Sequence, residues 1–465
     1  MLAVVAVAVG TAWLMKRTPQ ARRQRIVRPD AMVEAYKQII KNHYPPVNPL
    51  ELKRSAVAGM AKALDPQSVY IPFDKADAFM KRMEGQSRGY GLVMDLSDRG
   101  PVIDCVHPNS PAEKEGLDAG DIIVLINDLP AFNMSLEQAV ASLSGTDDGQ
   151  VRLQVISPDK PDQPRDVTLL SAEYPVETVT GLHRESVDRW VYTVDQDEGL
   201  AYIRVSEFVS GTVDRFKKAF RKPSLVRGLV LDLRGNPGGY LPEAVAMANL
   251  FLHHGPIVTV VSGSGGIERH KAYADGTYPD IPVVVLVDAD TASAAEIVAG
   301  ALSYADRAIL LGSPTRGKHS VQTPLSLGGK LGLLHLTTAR FFFASETPEA
   351  TTRPQADDLP SSAGKTIAPH VFILSDPDRI RKRRRLLRRL SGVNRTATTS
   401  PTTRPASQAA PNIVRELIKN DEQLAEAVEL LKNPARIRQM LAERAQARKK
   451  RPETQPADQG VPIGL

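Results

Sequence analysis

The stretch Val283-Val284-Val285-Leu286-Val287-Asp288-Ala289-Asp290-Thr291-Ala292-Ser293-Ala294-Ala295-Glu296 sets the fold class. Its first five residues form an unbroken apolar run, the pattern of a strand buried on both faces of a sheet. The alanine-rich segment from Ala294 to Tyr304 then reads as a helix. The same alternation repeats on either side, with strands expected at Leu200–Ser206, Gly228–Leu233, Ile257–Val261 and Ala308–Leu311, and helices at Val213–Arg221 and Pro242–Leu252. This predicts an α/β core over residues 175–374, and such a sheet presents its functional residues at strand ends.

Ser293 follows the buried strand by six residues and stands directly before a helix. Free N–H groups and the positive end of the helix dipole can there stabilise a developing oxyanion. Taken alone, Thr291 or Ser293 would equally serve as a helix cap. The partner decides the reading. Lys318 closes Gly312-Ser313-Pro314-Thr315-Arg316-Gly317-Lys318, also just after a strand, and a serine and a lysine at neighbouring strand ends are what a Ser-Lys dyad requires. In an extended chain Lys318, Ser320 and Gln322 share one side, so Gln322 is expected to orient the lysine, while His319 and Val321 face away.

The lysine acts as a base only when neutral. Its ordinary pKa of about 10.4 must come down to about 7, at a cost of about 4 kcal/mol, which requires burial among apolar groups. The oxyanion is assigned to backbone N–H groups of Ala294 and of Gly238 or Gly239 in Leu231-Asp232-Leu233-Arg234-Gly235-Asn236-Pro237-Gly238-Gly239. Glycines there let the backbone approach a substrate closely. A tight strand-to-helix turn would use the same residues.

The heptad ending at Lys318 nearly matches the phosphate-binding pattern G-x-x-x-x-G-K-[ST]. Three features oppose that reading. His319 replaces the hydroxyl that would hold magnesium, Pro314 removes a backbone donor, and Ser320 to Leu327 alternates like a strand where a helix should begin.

At 465 residues, with 42% hydrophobic residues, the chain is long enough for two or three domains. Its single cysteine, Cys105, excludes an intrachain disulfide framework and a cysteine zinc cage, and no H-E-x-x-H occurs. No metal or other cofactor is called for. The net charge of +6 is concentrated near the N-terminus and in the last ninety residues rather than over the motifs, so nucleic acid is not an expected partner.

Leu2 to Met15 is almost wholly apolar and is followed by Lys16, Arg17, Arg22, Arg23 and Arg25. It is shorter than the roughly 17–25 residues of a membrane helix and within the range of a signal core. With no A-x-A-like site at its end, residues 1–28 are read as an uncleaved membrane anchor in preference to a cleaved signal. Its positive charges follow the apolar run, which opposes export by the positive-inside tendency. A start upstream of Met1 carrying a basic n-region is the hypothesis that resolves this. Residues 29–87 read as a helical segment, with Ala31–Ile40 and Pro49–Leu64 at helical spacing and Val33, Tyr36, Ile39 and Ile40 on one face. The Ala63-Leu64-Asp65-Pro66-Gln67-Ser68 stretch that ends it suggests only a turn.

From Gly89 the pattern changes to short strands, Gly91–Leu96, Val102–Val106, Ile122–Asn127 and Val151–Ile156, around a helix at Ser135–Leu143 capped by Asn133 or Ser135. The segment resembles a PDZ domain, assigned to 88–174. Gly89-Tyr90-Gly91-Leu92 stands where that family has its carboxylate-binding loop, with Asn109-Ser110-Pro111-Ala112 and Gly116-Leu117-Asp118-Ala119-Gly120-Asp121 behind it. Such a loop surrounds a peptide's terminal carboxylate with N–H groups while the peptide adds to the sheet edge.

Over residues 30–372 the chain resembles the carboxyl-terminal processing proteases, also called tail-specific serine proteases. The family's nucleophile, lysine and glutamine fall on Ser293, Lys318 and Gln322, and the 25-residue separation of Ser293 and Lys318 fits its pattern. The resemblance implies a serine endopeptidase that takes protein or peptide substrates with apolar C-termini and works outside the cytoplasm, anchored or periplasmic. The competing reading is an inactive PDZ scaffold; retention of all three residues argues against it. Two departures stand out. The usual S-A-S-A-S-E reads Thr291-Ala292-Ser293-Ala294-Ala295-Glu296, and residues 344–365 form a Pro/Thr/Ser-rich insertion.

The expected architecture is thus a multidomain α+β and α/β chain: an N-terminal helical segment, a small β-rich PDZ domain placed before an α/β serine-protease core, and a helical C-terminal tail. Residues 375–411, strongly basic at Arg379–Arg389, read as a solvated linker, although a basic stripe also suits anionic lipid or nucleic acid. Residues 412–465 hold an amphipathic helix to about Ala447 with Leu424, Val428 and Leu431 on one face. That helix would pack on the core or mediate homo-oligomer formation.

Overall fold

In the computed structural model Val283–Val287 is the middle of a sheet, with all five residues buried. The residues described are 30–144, 149–186, 189–221, 225–273, 278, 280–343, 366–391 and 415–449. The anchor reading of residues 1–28, the insertion at 344–365 and the Thr/Pro/Ser-rich part of the linker lie outside them. No described helix is long and apolar enough to cross a membrane.

The chain divides into two compact units at Met60 and Ala61. The first holds the helix Asp30–Asn42 and most of the helix Pro49–Lys62. Asn48 caps the second of these, its Oδ1 accepting the N–H of Leu50 at 2.9 Å, and Pro49 follows at the first helical position.

In the second unit five strands run parallel in the order Leu200–Val205, Gly228–Asp232, Val283–Val287, Ile309–Gly312 and Val371–Phe372. Val179–Thr180 and Thr193–Asp195 add antiparallel to Leu200–Val205. Alternation along the strands feeds two separate cores. Val283, Val285 and Val287 face one cluster with Phe216, Met247 and Val298, from the helices Thr212–Ala219, Leu241–Asn249 and Ala294–Tyr304. Val284 and Leu286 face the other, built with Leu424, Val428 and Leu431. The amphipathic face near the C-terminus therefore covers this sheet, and each such side chain contributes about 1.5–3 kcal/mol when fully buried.

Two readings of the C-terminal region are corrected. The single long helix is broken twice among the described residues, into 415–420, Glu422–Lys432 and Pro434–Lys449: Asp421 caps the second stretch, and Pro434 opens the third because proline lacks an N–H and clashes with a preceding helical turn. The basic stretch is not a solvated linker: Pro377–Ser391 is a helix with Arg383 buried.

Gly255–Ser262, the strand expected from Ile257–Val261, belongs to a second, antiparallel sheet. It pairs there with Ile267–Ala272 and with the eleven-residue strand Leu333–Phe343, which also takes Ser320–Ser326 and Val69–Ile71. The strand at 320–326 is the alternation that opposed a phosphate loop.

A third sheet runs in the order Leu92–Ser97, Gly100–Val106, Ile122–Ile126, Gln150–Ile156, Arg165–Leu170, which leaves Leu92–Ser97 at an edge. Its helix Leu136–Ser144 begins at Ser135, whose Oγ accepts the Gln138 N–H at 3.2 Å while Gln138 Oε1 accepts the Ser135 N–H at 2.8 Å. The chain enters and leaves this domain through one antiparallel pair, Gln86–Gly89 with Ala172–Pro175.

Candidate active site

The ends of three adjacent parallel strands converge on Ser293. Gly228–Asp232 leads into the loop through Gly239, Val283–Val287 into the Ser293 turn, and Ile309–Gly312 into the segment ending at Lys318. A crevice beyond the carboxyl ends of such strands is the usual ligand site of an open α/β sheet.

Ser293 has φ 54° and ψ −118° and precedes the helix Ala294–Tyr304. Positive φ at a non-glycine residue costs of order 1–3 kcal/mol and persists only where its surroundings hold it. Here the Ser293 N–H donates to Glu296 Oε2 at 2.8 Å, and the Ala292 N–H to the Asn236 carbonyl at 2.9 Å.

Glu296 is fully buried and ties the Ser293 turn to the Lys318 segment. Its Oε2 also accepts the Lys318 N–H at 2.9 Å, and its Oε1 accepts the Gly317 N–H at 2.7 Å and the Thr315 hydroxyl at 2.5 Å. Burial pushes this carboxyl upward, while the four donors favour its ionised form. Its spacing from Ser293, S-x-x-E, is the capping-box signal that sequence reading passed over.

The Lys318 ammonium has no hydrogen bond or ion pair among the described residues. Its pKa is depressed, chiefly by burial and further by Arg316, against the carboxylates of Glu296 and Asp65. His319 is buried against Phe341 and Phe343, with ring centroids 4.8 Å away in both cases. It belongs to the core, as its place in the alternation indicated.

The glycine loop lies against the serine. A Cβ on Gly238, whose φ is 103°, would come 2.7 Å from Ser293 Cβ and 2.9 Å from the Ala294 nitrogen. A Cβ on Gly239 would meet the Phe208 carbonyl oxygen at 2.0 Å. Of the two glycines offered as oxyanion donors, Gly238 has its N–H committed to Asn236 Oδ1 at 2.8 Å. Among the described residues the N–H groups of Gly239 and Ala294 meet no acceptor. Asn236, not singled out in the sequence, is fully buried and also donates from Nδ2 to the Val205 carbonyl at 2.9 Å.

The register slips by one residue between Val321 and Gln322, interrupting the alternation expected there. Gln322 Nε2 donates to Thr337 Oγ1 at 3.1 Å, and that hydroxyl donates to Asp65 Oδ1 at 3.2 Å. Asp65 Oδ2 accepts from the Ser68 hydroxyl at 2.7 Å, and Ser68 Oγ accepts the Thr337 N–H at 3.1 Å. The Asp65–Ser68 turn, which carried no chemistry as sequence, thus supports Gln322 and acts electrostatically on Lys318.

In the small domain, the carbonyls of Tyr90 and Gly91 accept the N–H groups of Ala112 and His107 at 2.9 and 2.8 Å. The N–H groups of Tyr90 and Gly91 have no acceptor among the described residues, and Leu92 opens the edge strand. A cavity of about 1250 Å³ runs from Asp95 and His107 of this domain to Gly235, Pro237 and Arg316 beside the serine loop.

An edge-strand domain with a free N–H loop, joined to an α/β core bearing a strand-end serine and lysine, defines the class of PDZ-bearing serine peptidases. The comparisons agree. A model of Peptidase family S41 matches residues 199–357 and a PDZ domain model matches 102–157. A carboxy-terminal-processing protease of Bartonella bacilliformis is 32% identical over 306 residues, 64% of this chain and 67% of its own length. The carboxy-terminal processing protease CtpA of Bacillus subtilis is 32% identical over 298 residues, 63% of this chain and 61% of its own. A solved photosystem II D1 C-terminal processing protease aligns at 26% identity and a TM-score of 0.41, over 73% of this chain and 86% of that one. The chain belongs to peptidase family S41, the carboxy-terminal processing proteases.

Proposed function

We propose that the chain is a serine endopeptidase with a Ser293–Lys318 dyad that selects protein substrates by their C-terminal tails. The observation that carries the dyad is the half-buried Lys318 ammonium with no acid bonded to it among the described residues, its backbone held by Glu296 to the same atom as that of Ser293. Neutral Lys318 takes the proton from Ser293 Oγ as the oxygen attacks the substrate carbonyl carbon. The N–H groups of Gly239 and Ala294 receive the oxyanion, helped by the helix N-terminus. As the tetrahedral intermediate collapses, the Lys318 ammonium returns its proton to the departing amine nitrogen. Lys318 then deprotonates a water, which attacks the acyl-enzyme and releases Ser293. Gln322, braced by Thr337, which in turn bonds Asp65, is the residue proposed to orient the lysine side chain.

Tail selection rests on the free N–H groups of Tyr90 and Gly91 beside the edge strand Leu92–Ser97, which suit a terminal carboxylate followed by an added strand. The cavity lined by His107, Gly235, Pro237 and Asp290 leaves room for the rest of the substrate between the small domain and the loops that flank Ser293. Export of the chain is part of the proposal and is tested by cell fractionation.

The test is cleavage of an unfolded protein with an apolar, free C-terminus by wild type, Ser293→Ala and Lys318→Ala. Wild-type turnover lost in both variants is expected. Equal activity in all three would remove the dyad, and no activity in any would favour a tail-binding scaffold.

A further inference from the structure

The C-terminal segment reaches the active-site loops through two buried charge links. Arg383, 4% exposed, places Nη2 at 3.5 Å from Asp288 Oδ2 and donates from Nη1 to Gln423 Oε1 at 3.4 Å. The other oxygen of Asp288, Oδ1, accepts the N–H groups of Gly235 at 2.8 Å and of Asp290 and Thr291 at 3.1 Å each. One carboxylate thus grips both the start of the glycine loop and the turn leading to Ser293, with its outer side held by the helix Pro377–Ser391.

The second link is denser. Asp421 accepts from Arg234 Nη1 at 2.8 Å and Nη2 at 2.7 Å, and Gln423 Oε1 accepts from the same Nη1 at 2.9 Å. Arg234 in turn donates to Asp232 from Nε at 2.9 Å and Nη2 at 2.6 Å. Arg234 and Asp232 are fully enclosed, and Asp421 and Gln423 nearly so. Arg234 directly precedes Gly235, so its guanidinium fixes the base of the loop that carries the Gly239 N–H. The planar guanidinium serves two carboxylates in fixed directions, which a flexible ammonium does not.

We propose that Arg383 and Asp421 are positioning residues. The C-terminal segment holds Asp288 and Arg234, and through them sets the backbone at 234–239 and 288–293 in the geometry that attack by Ser293 requires. Removing either group takes one charged partner from an enclosed or half-buried ion, leaving Arg234 with Asp232 alone or Asp288 with backbone N–H groups alone, and the loops are the parts free to relax. The proposal rests on the reading of Ser293 as nucleophile, so its test includes a readout that does not depend on turnover.

The full chain is compared with Arg383→Gln, Arg383→Lys, Asp421→Asn and, as a docking control, Leu431→Ala, which alters only apolar packing of the same segment. Arg383→Gln and Asp421→Asn should lower kcat about tenfold or more with KM within about twofold, and Arg383→Lys should recover most of the loss. Amide hydrogen exchange at 234–239 and 288–293 should quicken in Arg383→Gln and Asp421→Asn. Leu431→Ala should lower the melting temperature while the folded fraction keeps its kcat. Unchanged kcat and unchanged exchange in Arg383→Gln and Asp421→Asn would overturn the proposal. So would an equal kcat loss in Leu431→Ala, which would reduce the links to general docking. A wild type without turnover would refute the proposed function, and the exchange rates would still decide this one.

Discussion

Ser293 and Lys318 donate their backbone N–H groups to the same atom, Oε2 of Glu296, at 2.8 and 2.9 Å. The two residues proposed to react come from different strand ends, yet one carboxylate with four donors around it ties their backbones together. Most of the precision of the proposed dyad would therefore reside in a residue that takes no part in bond making.

Glu296→Gln keeps the shape and removes one acceptor. The amide NH2 must then face N–H or O–H donors in a buried site, a mismatch of about 1–3 kcal/mol for each unsatisfied group. Urea unfolding should show a loss of that order, and kcat should fall at least tenfold. Wild-type stability and turnover in this variant would show that the carboxylate does not set the site.

Lys318 determines the expected pH response. Burial lowers its pKa from the ordinary 10.5, so kcat/KM should rise with pH through a midpoint below that value as the amine becomes neutral. In the window between the depressed folded value and the ordinary unfolded one, the unfolded chain binds more protons and stability rises with pH; below the window the penalty is complete. Lys318→Met should therefore abolish cleavage yet melt above wild type at neutral pH. A lower melting temperature would contradict the burial penalty.

Asp65 supplies the opposite influence. Burial works to raise its carboxyl, but bonds from Ser68, Gln67 and Thr337 hold it low, so it is charged at neutral pH and favours protonated Lys318. In Asp65→Asn the midpoint of the pH–rate profile should move to lower pH, while weaker support of Gln322 reduces the plateau. A midpoint that stays or rises would sever Asp65 from the lysine.

Gly238→Ala tests the close approach. The added methyl would crowd Ser293 Cβ at 2.7 Å and the Ala292 carbonyl oxygen at 2.8 Å, at a residue with φ 103°. Turnover should fall about a hundredfold, with binding of a tail peptide to the small domain unchanged in titration. Retained turnover would mean that the loop has room the geometry denies.

The sequence was most readable where the determinants are local. Val283–Val287 declared itself because both faces are buried, and the helix Ala294–Tyr304 began and ended as its alanine run indicated. What escaped depends on distant partners. The strand Leu333–Phe343 gains its identity from three strands far apart in sequence, and Asp65 meets a hydroxyl 272 residues away. Arg383 sits in a run of basic residues that looks solvated until Asp288 and Gln423 are placed beside it. Gly238 and Gly239 were legible as a pair, but only the bond from Gly238 to Asn236 separates their duties.

The paired strands Gln86–Gly89 and Ala172–Pro175 place the entry and exit of the small domain about 5 Å apart. An insertion whose ends leave by one antiparallel pair asks of the sheet there only two chain ends in register, although its strand Gly100–Val106 also meets the helix Pro377–Ser391. Under the proposed function, replacing the segment between these strands would change tail preference while Ser293, Lys318 and Glu296 keep their frame.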